Sequence, residues 1–188
     1  MKIFLVVLGI LLLVGLMFVG KFISVRNELA VENEAIKEAW AQVDVALQRR
    51  ADLIPNLVST VKGFATHEQQ VIDSVTAARA ALGGARTPQE KIAANNQLDG
   101  AISRLLVISE NYPNLKSNEN FLRLQDELAG TENRIAVERR KYNEVVQRYN
   151  TQIALFPNNL IASMSGFQRN DAYFKTDPGS RVVPKVAF

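Results

Sequence analysis

One row of residues fixes most of what this chain can become. Phe22, Leu29, Ile36, Val43, Arg50, Leu57, Phe64 and Val71 follow one another at intervals of seven, and all but Arg50 are apolar. A seven-residue row keeps one face of an α-helix aligned over many turns. An apolar face of that length is stable only when other helices cover it. Ala39, Trp40, Ala46, Leu47, Leu53, Ile54, Val58 and Val61 widen the row into a stripe. A second row follows at Phe121, Leu128, Ile135, Tyr142, Tyr149 and Phe156. Two such rows fit helices packed side by side at a shallow angle. The expected fold is all-α: a long antiparallel helical bundle, here carried on an N-terminal transmembrane helix.

The anchor comes first. Residues 3–20 carry no charge. As a helix they rise about 27 Å, enough to cross the hydrocarbon core of a bilayer. Phe22 and Ile23 extend the span past Lys21, whose aliphatic stem can snorkel. The rival reading is a cleaved signal peptide. No small-x-small cleavage site followed by a mature start is visible, and the amphipathic pattern begins at once, so a retained single-pass anchor is expected. Gly9, Gly15 and Gly20 do not make a GxxxG spacing. Lys2 on one side, with Lys21 and Arg26 on the other, leaves the side of the soluble part open.

Local signals place the helix ends. Pro55 lacks the amide a helix interior needs, so a kink or restart is expected there, with Asp52 as the cap of a second helix over 55–82. Gly83-Gly84 should end that helix. Thr87-Pro88-Gln89-Glu90 reads as a capping box that opens a third helix running to Asn111. Tyr112 precedes Pro113, which stops it. Ser117 or Asn118 should cap a fourth helix to about Phe156, roughly 57 Å long. Pro157-Asn158-Asn159 breaks the chain, and 160–167 suffices for one or two more turns. From Gln168 on there is no period; Pro178-Gly179 and Pro184 argue for a tail, basic and apolar at its end. The expected organisation is an anchor over 1–23, a bundle over 24–167 and an irregular tail over 168–188.

Composition removes several classes of function. There is no cysteine, hence no disulfide, thiolate metal site or cysteine nucleophile. The net charge of +3 is spread among interspersed acids and bases, which is a solvated helical surface and no nucleic-acid footprint. His67 is the only histidine, beside Thr66 and Glu68, and reads as a surface residue. Gly83-Gly84 is no phosphate loop, because no Gly-Lys-Ser follows. No serine sits in a nucleophile elbow, and no Glu-x-x-His pair occurs. No enzyme, metal or cofactor is expected.

Arg50 interrupts the apolar row where the chain is expected to kink. Buried, it needs carboxylates or carbonyls, and Asp52, Glu132 and Glu138 are the candidates. An ion pair that fixes helix register is the structural reading; contact with a partner or lipid headgroup is the functional one. Asn133-Arg134 and the pairs Tyr142-Asn143 and Tyr149-Asn150 recur on the fourth helix. They read as interior or inter-helix hydrogen bonding, or else as a contact surface for a second subunit. Arg139, Arg140 and Lys141 read as a solvated basic run that can also touch anionic lipid.

Two stretches carry a resemblance. A-W-A-Q-V-D-V-A-L-Q-R-R-A-D-L-I-P-N-L-V-S-T-V-K-G-F at 39–64 resembles the N-terminal signature of the LemA family. E-N-R-I-A-V-E-R-R-K-Y-N-E-V-V-Q-R-Y-N-T-Q-I at 132–153 resembles its C-terminal signature, continued by F-P-N-N-L-I-A at 156–162, Gly166-Phe167 and Tyr173-Phe174. The similarity runs from about Arg26 to Phe174. It departs at the edges: Ile23-Ser24-Val25-Arg26 stands where Tyr-Asn often opens the soluble helix, and Lys175 where an acid is common. After Thr176 no family pattern is evident.

The resemblance implies a single-pass bacterial plasma (inner) membrane protein with a long helical bundle and no enzyme activity. One family member belongs to the magnetosome membrane, and members often accompany a membrane-anchored TPM-domain protein. Candidate structural or partner-contact residues are Trp40, Arg50, Asp52, Pro55, Asn56, Asn133, Arg134, Tyr142, Asn143, Tyr149, Asn150, Phe156 and Pro157. The expected function is a scaffold that self-associates or organises partners and membrane lipid. The alternative is an accessory or adaptor subunit of a membrane enzyme, protease or signalling complex. Because the third and fourth helices differ in length, apolar surface along 22–36 or 142–156 should stay open. Lateral self-association is expected through 22–40 packed on 142–167 of the same or a neighbouring copy.

Overall fold

The computed structural model describes residues 2–65 and 67–175; the expectations for Pro178-Gly179, Pro184 and the basic end of the tail fall outside them. Among the described residues six helices follow one another: α1 (Lys2–Lys62), α2 (Gln69–Gly84), α3 (Pro88–Ser109), α4 (Pro113–Lys116), α5 (Glu119–Ala154) and α6 (Asn158–Ser165). There is no strand among the described residues. The all-α reading is met.

The chain divides into two compact units, and α1 and α5 contribute to both. The larger unit comprises Trp40–Lys141 and the described residues from Ala172 on. Within it α1, α2, α3 and α5 pack around the two apolar rows. Val43 and Leu57 are completely buried, as are Phe121 and Ile135 on α5. The clefts between helices report direction. Thr60 faces Asn120 and Arg123 while Arg49 faces Arg134, so α1 and α5 run antiparallel. Asp44 and Gly83 share a cleft with Ala51 and Arg79, so α1 and α2 do too.

Pro55 is the main departure from the sequence reading. It lies inside α1, which runs through it to Lys62. A proline removes the amide that would bond the carbonyl four residues earlier, here that of Ala51. Arg79 on α2 takes that role: its Nε donates to the Ala51 carbonyl at 2.9 Å. With the orphan acceptor satisfied, no restart is needed, and Asp52 caps nothing. It is exposed and accepts from Gln48 Nε2 at 2.8 Å. The break comes later, where Gly63 and Phe64 turn back on Thr60 and Val61 carbonyls. Phe64 and Val71 therefore fall off the row that the first helix carries as far as Leu57.

Other ends form as expected. Thr87 Oγ1 accepts from the Glu90 amide, and Glu90 Oε2 accepts from the amides of Thr87 and Arg86, completing the capping box of α3. Glu90 is held below the usual carboxyl range by the Arg86 amide first and the Thr87 amide second. Asn118 Oδ1 accepts from the Phe121 amide at 3.1 Å and opens α5.

The second unit comprises Met1–Ala39 and Tyr142–Asp171. Val25 and Leu29 of α1 bury against Ile161 and Ala162 of α6, with Phe22, Ile153 and Phe167 around them. Thus 22–40 does meet 142–167, within one copy. α6 ends at Gly166, whose φ of 76° only glycine adopts without strain. The Gly166 and Phe167 amides donate to the carbonyls of Ser163 and Ala162. This is a Schellman closure, with Phe167 supplying its apolar contact.

Candidate functional site

Arg50 forms the polar centre of the larger unit. Its side chain is 7% exposed, and its guanidinium bonds both Asp99 of α3 and Glu132 of α5, the latter at 2.6 Å. Arg139 approaches the other oxygen of Asp99 at 3.5 Å, and Asn95 donates to it at 3.0 Å. Two positive and two negative groups therefore balance. Asp99 and Glu132 keep 31% and 45% of their side chains exposed, so water shares in their solvation. Breaking such a cluster by removing one partner leaves an uncompensated charge. Of the expected partners Glu132 is correct, whereas Asp52 and Glu138 are not used. Glu138 pairs instead with Lys141 at 3.1 Å.

Arg139 does not lie on a solvated face. Its guanidinium carbon sits 5.0 Å from the centre of the Phe174 ring, and that ring stacks on Trp40 at 6.1 Å with 20° between planes. Contacts with a cation and with an indole, both at the Phe174 ring, hold the irregular end of the described chain to the bundle.

Outside the core, α1 faces α5 across two neighbouring clefts, one after Pro55 and one before it. One, of about 370 Å³, is lined by Asn56, Ser59, Thr60, Asn120, Arg123, Leu124 and Glu127. The next, of about 260 Å³, is lined by Arg49, Leu53, Glu127, Gly130, Thr131 and Arg134. Pro55 and Asn133 are exposed beside them. Asn133 and Arg134 are thus surface residues, against the expectation that they bond in the interior; they lie on the side of α5 away from Ile135.

In the second unit the two Tyr-Asn pairs face inward. Tyr142 is fully buried, Asn143 half-buried, and Tyr149 and Asn150 are buried. The second pair bonds the returning chain. Tyr149 Oη donates to the Gln168 carbonyl at 2.9 Å, and burial pushes its phenol up. Asn150 Nδ2 donates to the Asn170 carbonyl at 2.7 Å while its Oδ1 accepts from the Asn170 amide at 2.9 Å. That two-point bond reproduces a strand pairing with a side-chain amide.

Phe156 corrects the second row. It is 80% exposed, because α5 ends at Ala154 and the row loses its helix before reaching it. Pro157, half-buried, then leads into α6. His67 is exposed, as expected. Among the described residues no group of three His, Cys, Asp or Glu side chains is placed to hold a metal.

Sequence reasoning missed Asp99, Arg79 and the stack on Phe174. Asp99 carried a usable signal. With Asn95 it interrupts the apolar stripe of α3, as Arg50 interrupts that of α1, and opposite charges at such interruptions are natural partners. Arg79 carried none.

Residues 3–20 of α1 form one helix, long and apolar enough to cross a membrane, with its side chains exposed. The profile of the LemA family matches residues 39–188. The match begins where the first motif begins and continues past Phe174, where the motif reading stopped. Among curated proteins, "Magnetosome protein MamQ 2" of Paramagnetospirillum magneticum is 24% identical over 187 residues, covering 86% of this chain and 68% of its own. "Protein LemA" of Metamycoplasma hominis is 24% identical over 160 residues, covering 85% and 73%. "Magnetosome protein MamQ" of Magnetospirillum gryphiswaldense is 24% identical over 197 residues, covering 90% and 72%.

Proposed function

Since the chain belongs to the LemA family, we propose that it is a non-catalytic, membrane-anchored helical scaffold of the bacterial inner membrane that gathers further copies or partner proteins. One observation carries the reading: α1 is a single helix whose first part is exposed and apolar and whose later part is core. An anchor continuous with the bundle transmits position without a flexible linker. The charged cluster around Arg50 supports a structural role, because its groups neutralise one another. Tethering in the membrane plane raises local concentration, so weak lateral contacts suffice.

The accessory-subunit reading has an observation of its own. Arg49, Arg123 and Arg134 line neighbouring clefts against the single acid Glu127, which suits an acidic segment of another protein. Alkaline carbonate extraction followed by detergent-solubilised mass tests both readings. The anchor predicts retention in the pellet with the N-terminal peptide present. Scaffolding predicts a mass above one copy from purified protein alone, whereas an accessory subunit grows only when its partner is added. Release into the wash removes the anchor.

A further inference from the structure

The longest stretch without a charged residue in this chain is not the anchor. Residues 149–168 carry none over 20 positions, against 18 for residues 3–20. Part of that stretch is core. The rest is not: Leu155 is 53% exposed, Phe156 80%, Leu160 56% and Met164 73%. Leu155 and Phe156 lie in the turn after α5, and Leu160 and Met164 on the outer face of α6. Leu160 and Met164 are one helical turn apart, and Ile161 and Ala162 take the inner face.

The inner face shows where this apolar patch lies. Ile161 and Ala162 bury against Val25 and Leu29, beside Phe22. Phe22 and Val25 follow Gly20 by about 3 and 8 Å along the helix. The headgroup layer on each side of a bilayer is about 5–8 Å thick. With residues 3–20 across the hydrocarbon core, α6 packs onto α1 from the depth of the headgroups out to Leu29, about 14 Å past Gly20. Lys21 and Arg26, both exposed at this level of α1, suit anionic lipid. In water four large apolar side chains on so short a segment are a liability; at the boundary of headgroups and acyl chains they are buried.

We infer that α6 and the turn before it form a second membrane contact, in which Leu155, Phe156, Leu160 and Met164 enter the interface of the leaflet from which the soluble part emerges. The occupant is the lipid surface, chosen by continuity with the anchor and by the missing charge. The contact rests on the anchor reading above. It gives the bundle a second point of attachment and so restrains rotation about α1, which one spanning helix cannot do.

The absence of cysteine allows the test in the full chain. Leu160→Cys and Met164→Cys, labelled with an environment-sensitive fluorophore, are reconstituted into vesicles of zwitterionic and anionic phospholipid. The lipids carry a spin label either near the headgroup or at the chain end. Gly9→Cys in the anchor and Gln97→Cys on exposed α3 are the controls. Interfacial burial predicts headgroup-label quenching about twofold or more above that at Gln97, and Gly9 quenched best by the chain-end label. Leu160→Asp, at an exposed position the fold tolerates, should reduce quenching at Met164. If Leu160 and Met164 behave like Gln97, or Leu160→Asp changes nothing, while Gly9 is quenched, the interfacial contact is wrong and the anchor stands. If Gly9 is not quenched, both fail. If Met164→Cys cross-links copies and escapes lipid quenching, a second copy is the occupant instead.

Discussion

The two units differ in how they use polarity. Trp40–Lys141 is tied across its helices by charge: Arg50 with Asp99 and Glu132, Lys91 with Asp44, Arg139 with Asp99. The stretch Tyr142–Asp171 is tied mostly by neutral groups, namely the Tyr149 hydroxyl, the Asn150 amide and the apolar cluster around Val25. An ion pair between Arg148 and Glu32 joins this stretch to α1. Charge placed on a helix face suits water. Neutral ties and exposed leucine, phenylalanine and methionine suit a bilayer boundary. The same pair of long helices thus carries two surface chemistries, and the boundary between them on α5 falls near Tyr142.

The comparison breaks most severely at Arg50. Arg50→Ala leaves two carboxylates facing each other without their cation, and a loss of about 3 kcal/mol is expected, reduced from the fully buried case because both acids reach water. Denaturant unfolding of the detergent-solubilised chain, followed by helical circular dichroism, measures it. Restoring length without charge, as Arg50→Met, should recover part of the loss by packing.

Arg79→Leu should cost about 1–3 kcal/mol, because the Ala51 carbonyl is left without a donor. Pro55→Ala supplies the missing amide. The double variant should therefore be nearly as stable as Pro55→Ala alone. Full additivity in that cycle would show that Arg79 acts elsewhere.

In the second unit, Asn150→Ala removes both bonds to Asn170 and should cost about 1–2 kcal/mol. Limited proteolysis should then cut near 168–175 sooner, while hydrogen exchange around Arg50 stays unchanged. Exchange that rises equally everywhere would erase the distinction between the units.

The smallest effect is a pH dependence at α3. The folded carboxyl of Glu90 lies below its unfolded value, so its contribution is present above the unfolded pKa and is lost as pH falls through the lowered folded one. Amides in the first turn of α3 should exchange faster across that acid window, and Glu90→Gln should flatten the response. An unchanged acid dependence in Glu90→Gln would assign it to another carboxylate.

Much of this molecule was legible in the chain. Two seven-residue rows gave the bundle, because the core-facing positions of a packed helix repeat with its turn. Thr87 and Glu90, Asn118 and Pro113 gave their helix ends, because caps are made by neighbours in sequence. The position of Arg50 on a buried row was evident as well. Its partner was only half legible: Asn95 and Asp99 interrupt the stripe of α3, but Arg50 and Asp99 are 49 residues apart, and only the packing of α1 on α3 pairs them. Phe156 shows the reverse failure, since a periodic pattern outlives the helix that gives it meaning.

Pro55 marks the division most clearly. By itself the sequence dictates a missing amide and hence an unsatisfied carbonyl at Ala51, which ordinarily ends or bends a helix. Whether α1 breaks depends on whether a donor arrives from elsewhere, and Arg79 arrives from a helix that the local sequence does not mention. Local chemistry sets what each backbone group requires; only tertiary packing decides what meets it.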